Sequence, residues 1–241
     1  MNGDKMHLAG ILDTSTVDFP GKICSVIFFS GCPFRCPYCQ NHRILDIRSG
    51  YKVNVDFIVD QIKDNFLIDG ICLSGGEPLM QNLDELKDLI RKIKDLGLDV
   101  KLDTNGYYPD KLSEIISLLD YVAIDFKATP EFYPKVTGKK DSYNKLISSI
   151  KIVIDSGINY EIRTTVVPTI VDKNGILRIV NILSDLGVKR YVLQQFRNND
   201  VLDEKFKKIN PYPKEYLIDV GRQAKKVIPE VVVRCDSEIE L

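Results

Sequence analysis

The chain has 241 residues, and its 33 Lys and Arg nearly cancel 34 Asp and Glu to leave a formal charge of -1, which argues against a dominant nucleic-acid footprint. Apolar residues make up 44% and charged residues 28%, which excludes disordered and collagen-like classes, and six Cys are too few for a disulfide scaffold in a chain this long. No apolar run approaches the roughly 18 residues of a membrane span, and residues 1–10 hold no apolar signal-peptide core, so a cytoplasmic protein with neither membrane nor nucleic-acid partner is expected.

Along the chain, short apolar or β-branched runs alternate with longer amphipathic stretches, the pattern of strand and helix in succession. Strands are predicted at Ile23–Ser30, Ile71–Ser74, Val100–Thr104, Tyr121–Asp125, Tyr160–Val167 and Tyr191–Phe196. Each is short and mostly apolar, as a parallel strand buried on both faces should be. Helices are predicted near Val55–Phe66, Pro109–Leu119, Ser142–Asp155, Asn174–Leu186 and Pro213–Val227. One more is carried by Leu83, Leu86, Leu89, Ile90, Ile93 and Leu96 at helical spacing, with Asn82 and Glu85 fitting its capped start and Gly97 its stop.

Six βα units predict an α/β fold, a partial (βα)6 TIM-like open barrel, because a closed eight-unit barrel typically needs about 250 residues. A doubly wound sheet is the alternative, since periodicity does not fix strand order. No linker or composition shift divides the chain, so a single domain over 1–241 is expected, with an N-terminal extension at 1–22 and a C-terminal extension at about 198–241.

Cys32, Cys36 and Cys39 fall within eight residues directly after the first predicted strand, whereas Cys24, Cys72 and Cys235 are scattered. Gly31, Pro33 and Pro37 oppose helix there and favour a tight wrap that brings the sulfurs toward one metal centre. Three local thiolates are one short of the set that saturates a structural zinc or a four-iron cluster. The fourth position falls either to a further protein ligand, such as His42 or a distant Cys in a structural zinc site, or to a ligand from outside the chain. Cys24 and Cys72 lie within predicted strands and read as small core residues.

The CxxxCxxC spacing, with Tyr38 before its last Cys, resembles the hallmark of radical S-adenosylmethionine (SAM) enzymes. The resemblance implies that Cys32, Cys36 and Cys39 hold a [4Fe-4S] cluster whose open iron takes the amino and carboxylate groups of SAM. It also implies that an electron from the cluster splits SAM to a 5′-deoxyadenosyl radical. Ser74-Gly75-Gly76-Glu77-Pro78 is similar to the segment that meets the SAM amino group, although two glycines after a strand also make an ordinary turn. Asp103-Thr104-Asn105-Gly106 and Asp125-Phe126-Lys127 resemble positions in pyruvate formate-lyase activating enzymes that carry a monovalent-cation site beside the SAM carboxylate. For Asn105 and Gly106 a plain Asx turn is the simpler reading. Arg163, within an otherwise apolar strand, is either an internal ion-pair member or, by the resemblance, a SAM contact.

Ahead of the cysteines, Thr16-Val17-Asp18-Phe19-Pro20-Gly21 is similar to a segment that lies near the partner's glycyl loop in activases, and Asp18 equally suits a turn. Together these motifs most resemble anaerobic ribonucleoside-triphosphate reductase activating proteins, strongly over Leu8 to Lys127 and more loosely to Phe196. The resemblance implies hydrogen abstraction from a glycine Cα of a partner glycyl-radical enzyme, with a reduced ferredoxin or flavodoxin as electron donor. Two rival readings are a radical SAM enzyme acting on another glycyl-radical enzyme, a different peptide or a small molecule, and a non-catalytic metal module.

Overall fold

The computed structural model describes residues 5–241, so the first four residues of the expected N-terminal extension lie outside it. The strands are β1 (Met6–Phe19), β2 (Lys22–Phe29), β3 (Tyr51–Val53), β4 (Gly70–Gly75), β5 (Asp99–Thr104), β6 (Tyr121–Asp125), β7 (Asn159–Val166), β8 (Arg190–Gln195), β9 (Glu230–Arg234) and β10 (Glu238–Glu240). The helices are α1 (Val55–Ile62), α2 (Leu83–Asp95), α3 (Pro109–Ile115), α4 (Tyr133–Thr137), α5 (Ser142–Ser156), α6 (Lys173–Asp185) and α7 (Lys214–Ala224).

Among the described residues the strands form one ten-stranded sheet in the order β10-β9-β8-β7-β6-β5-β4-β2-β1-β3. The seven strands from β2 to β9 in that order are parallel to their neighbours and succeed one another along the chain. Their order never reverses, so right-handed crossovers lay successive helices on one face and the sheet curls as part of a barrel. A doubly wound sheet requires a reversal, and there is none among these strands. β3 and β10 stay at opposite edges, so the barrel is open.

Each helix packs because its apolar stripe meets the outer face of the sheet. In α2, Leu86, Leu89, Ile90 and Ile93 are fully buried, which is worth roughly 1.5–3 kcal/mol per side chain. Asn82 caps this helix by accepting from the N–H groups of Asp84 and Glu85, and Gly97 follows its last turn with φ +78°.

The inner face is chemically different. On β5, Val100 and Leu102 join the main core under the helices, while Lys101 and Asp103 alternate to the inside. On β7, Ile162 is core and Glu161 and Arg163 are inside. β5 and β7 are thus apolar on one face and carry charged residues on the other, contrary to the expectation of two apolar faces. A smaller cluster of Phe19, Cys24, Val26, Cys72 and Tyr121 fills one end of the interior and accounts for the two core cysteines.

Two stretches left outside the βα pattern are strands. β1 pairs antiparallel with β2 but shifts register between Leu8 and Gly10, Leu12 and Ser15, and Ser15 and Phe19, so its side chains keep no single alternation. β9 adds a seventh parallel strand and β10 folds back on it. α1 and α7 stop at Ile62 and Ala224, short of the predicted Phe66 and Val227. Asn65, within the predicted α1, instead turns its side chain to donate to the Asp13 carbonyl at 2.7 Å.

Candidate active site

The cysteine loop runs off the C-terminal end of β2, the edge where parallel α/β folds build their sites. It is held from several sides. The N–H groups of Gly31 and Cys32 donate to the carbonyls of Ile44 and Leu45 at 2.8 and 3.1 Å. Arg35 folds back so that its guanidinium donates to the carbonyls of Cys32 and Phe34 at 2.7 and 2.8 Å. From beyond β8, the N–H groups of Leu202 and Asp203 donate to the carbonyls of Cys39 and Pro37 at 3.1 and 2.9 Å. His42 pairs with Asp200 at 3.1 Å and does not border the cavity described next, so it is turned away from the sulfurs.

Cys32, Cys36 and Cys39 all border one cavity of about 710 Å³ inside the open barrel, a size in the range of small-molecule sites. Burial pushes the Cys32 thiol up to about 12 and the Cys36 thiol to about 11, and raises Cys39 as well. Without a metal, these groups are neutral thiols. Among the described residues no three His, Cys, Asp or Glu side chains are already drawn into a closed ligand set. A loop offering three soft sulfurs to one cavity, with His42 engaged elsewhere, fits an iron–sulfur cluster that takes its remaining ligand from outside the protein. Tyr38 is buried beside them, edge-on to Phe196 with ring centroids 6.5 Å apart.

Gly75 and Gly76 also border the cavity, and the protein's own packing requires both. Gly75 has φ +110°, and a Cβ there would lie 2.5 Å from the backbone N and O of Phe29; at Gly76 it would lie 2.3 Å from the Gly31 carbonyl oxygen. These glycines let the β4 turn seat directly on the root of the cysteine loop. Glu77 does not border the cavity. It is fully buried, and its carboxylate accepts from Thr104 Oγ1 at 2.9 Å, Asn105 N at 2.8 Å and Leu79 N at 3.1 Å. Burial nevertheless raises its pKa to about 7.

Asp103, Thr104, Asp125, Lys127 and Arg163 are brought together on the cavity wall. Arg163 bridges the two carboxylates, donating to Asp125 at 2.9 Å and to Asp103 at 3.2 Å. Lys101 closes on Asp103 from below, Ser74 donates to it at 3.1 Å, and Lys127 donates to Asp125 at 3.1 Å. Burial opposes ionisation of both acids, yet Arg163 overcomes it, with Lys101 helping Asp103 and Lys127 helping Asp125, and holds both below the usual carboxylate range. Arg163, Lys101 and Lys127 supply the positive charge that the protein itself sets on this wall. Glu161, unremarked in the sequence, forms the next layer with both Arg234 nitrogens at 3.2 Å and the Tyr121 hydroxyl at 3.3 Å. Asp18 borders the cavity mouth and accepts from the Ser15 hydroxyl at 2.6 Å.

A sequence-family profile described as the radical SAM superfamily matches residues 26–186, well over half of the chain and the stretch that contains this site. A Methanocaldococcus jannaschii protein named as a glycyl-radical enzyme activating enzyme is 39% identical over 238 residues, covering 95% of this chain and 96% of the relative. The chain belongs to the radical SAM glycyl-radical enzyme activating family. The pyruvate formate-lyase-activating enzyme of Clostridium pasteurianum is 30% identical across 83% of this chain and 94% of its own. The solved structure of TYW1 with a lysine-pyruvate adduct bound superposes with TM-score 0.66 at 16% identity, over 89% of this chain and 77% of that one, a likeness of fold. Radical SAM membership makes the protein an oxidoreductase-type enzyme and implies a [4Fe-4S] cluster and SAM. Activases of this family act on a partner glycyl-radical enzyme, and no helix among the described residues is long and apolar enough to cross a membrane.

Proposed function

We propose that this activase generates a glycyl radical on an anaerobic ribonucleoside-triphosphate reductase, with Cys32, Cys36 and Cys39 holding its cluster. The observation that carries the site is that all three thiols of the CxxxCxxC loop open onto the one cavity walled by Asp103, Asp125 and Arg163. When bound, the cluster supplies the electron that cleaves SAM to the 5′-deoxyadenosyl radical that abstracts hydrogen.

The chain's own residues have separable tasks. Gly75 and Gly76 bring backbone to the cavity edge and meet the SAM ammonium group, while Glu77 holds the turn from behind. The Asp103, Thr104, Asp125, Lys127 and Arg163 wall orients SAM, with its cations facing the SAM carboxylate. Tyr38 and Phe196 shield the cysteine loop from water. Asp18, at the mouth, contacts the partner's glycine loop. The electron comes from a reduced ferredoxin or flavodoxin in the cytoplasm.

Oxygen-free incubation of the reconstituted enzyme with SAM, a reductant and the candidate reductase tests this reading. A glycyl doublet in the EPR spectrum, with stoichiometric 5′-deoxyadenosine, is expected. Deoxyadenosine without the doublet would reject this partner, and zinc in place of iron would reject the cluster.

A further inference from the structure

Asn105 sits just beyond β5 and is 5% exposed. Its backbone N–H donates to Glu77 at 2.8 Å, its Oδ1 accepts from the N–H of Tyr107 at 3.0 Å, and its Nδ2 lies 3.6 Å from Cys32 Sγ. The amide orientation follows from this pattern: with the oxygen satisfying Tyr107, the NH2 is the end turned to the sulfur. Glu77 fixes the backbone that carries it, and Glu77 is itself held by Thr104 and Leu79. Asn105 therefore does more than end a strand with an Asx turn.

We infer that Asn105 sets the reduction potential of the cluster by donating an N–H···S hydrogen bond to the Cys32 thiolate, with Glu77 as the positioning residue behind it. The inference rests on the reading that Cys32 is a cluster ligand. Reduction adds negative charge that is shared with the ligand sulfurs, so a donor aimed at one of them stabilises the reduced state more than the oxidised one. Loss of that donor lowers the potential. The Phe34 backbone and the Lys127 charge also favour this thiolate, while the nearby Arg35 guanidinium is spent on the carbonyls of Cys32 and Phe34.

The test compares wild type with Asn105→Ser and Asn105→Ala after anaerobic reconstitution, reading iron and sulfide content, thermal melting and the midpoint from an EPR-monitored redox titration. Serine keeps an oxygen that can accept from Tyr107 but is too short to reach Cys32; alanine loses both contacts. Both variants should show a lower midpoint, of order tenfold in the one-electron equilibrium or about 59 mV, while only alanine loses stability from the broken turn. Midpoints equal to wild type in both would overturn the inference. If one variant holds no iron, the other decides; if neither does while wild type is loaded, Asn105 builds the loop and the potential-setting role is rejected. A wild-type chain that binds no cluster would sink the reading beneath it.

Discussion

Arg163 shows how one side chain can set the charge state of a whole wall. It is buried between Asp103 and Asp125 and holds both ionised, where burial alone would favour their neutral forms. Arg163→Ala strands the two acids with one lysine each and should cost about 3 kcal/mol near neutral pH, the lower end of the range for a broken buried pair because Asp125 is about one-third exposed. The pH dependence has a definite sign. Both acids have folded pKa values below their ordinary ones, so their contribution is present above roughly pH 4 and is lost as pH falls through the depressed values. The stability gap between wild type and variant should therefore hold from about pH 7 to about pH 4 and narrow as pH falls below about 4. Urea unfolding at about pH 6 and about pH 2 measures it, and a gap unchanged between them would remove Arg163 from this role.

The segment after β8 acts at the level of elements, tying the far side of the barrel to the cysteine loop. Its Leu202 and Asp203 N–H groups donate to carbonyls of that loop, and Asp200, at φ +47°, reaches His42 and Arg43. Leu202→Pro removes one of these donors, whereas Leu202→Ala keeps it and trims a side chain that is 37% exposed. Chelator-driven loss of iron should be several-fold faster in the proline variant, on the order of the 1 kcal/mol of one hydrogen bond, and near wild type in the alanine variant. Equal rates would deny the segment a part in holding the loop. The sequence showed the six βα units and the cysteine loop because their signals are local: apolar period, cap residues, close thiols. It hid β1, whose three register shifts erase the alternation, and the charged interior, whose partners are remote. Arg163 reaches back 38 and 60 residues to its acids, and Glu161 meets Arg234 across 73. Asn105 carried a visible signal in its place beside Asp103 and Thr104, but an Asx turn explained it sufficiently until its amide was found at Cys32.

For the whole molecule, the decisive feature is that the sheet does not close. The β1–β2 turn, with Thr16 to Gly21, borders the cavity on one side and the β9–β10 hairpin, with Arg234 to Glu238, on another, so the interior is reached between two antiparallel hairpins. A macromolecular substrate that must present one backbone carbon to a buried site is better served by such a lateral gap than by a closed barrel. Asp18 stands on this border with its carboxylate tied, among the described side chains, to Ser15 alone. If it docks the partner, Asp18→Ala should lower glycyl-radical yield about tenfold, equivalent to 1.4 kcal/mol of lost interaction, while leaving uncoupled deoxyadenosine formation nearly unchanged. Ser15→Ala breaks the same internal hydrogen bond without removing the carboxylate, and so isolates the local turn from the docking contact. Equal losses in the two variants, or a parallel fall in uncoupled SAM cleavage for Asp18→Ala, would return Asp18 to a turn residue and leave the mouth of the barrel without a recognition element on that side.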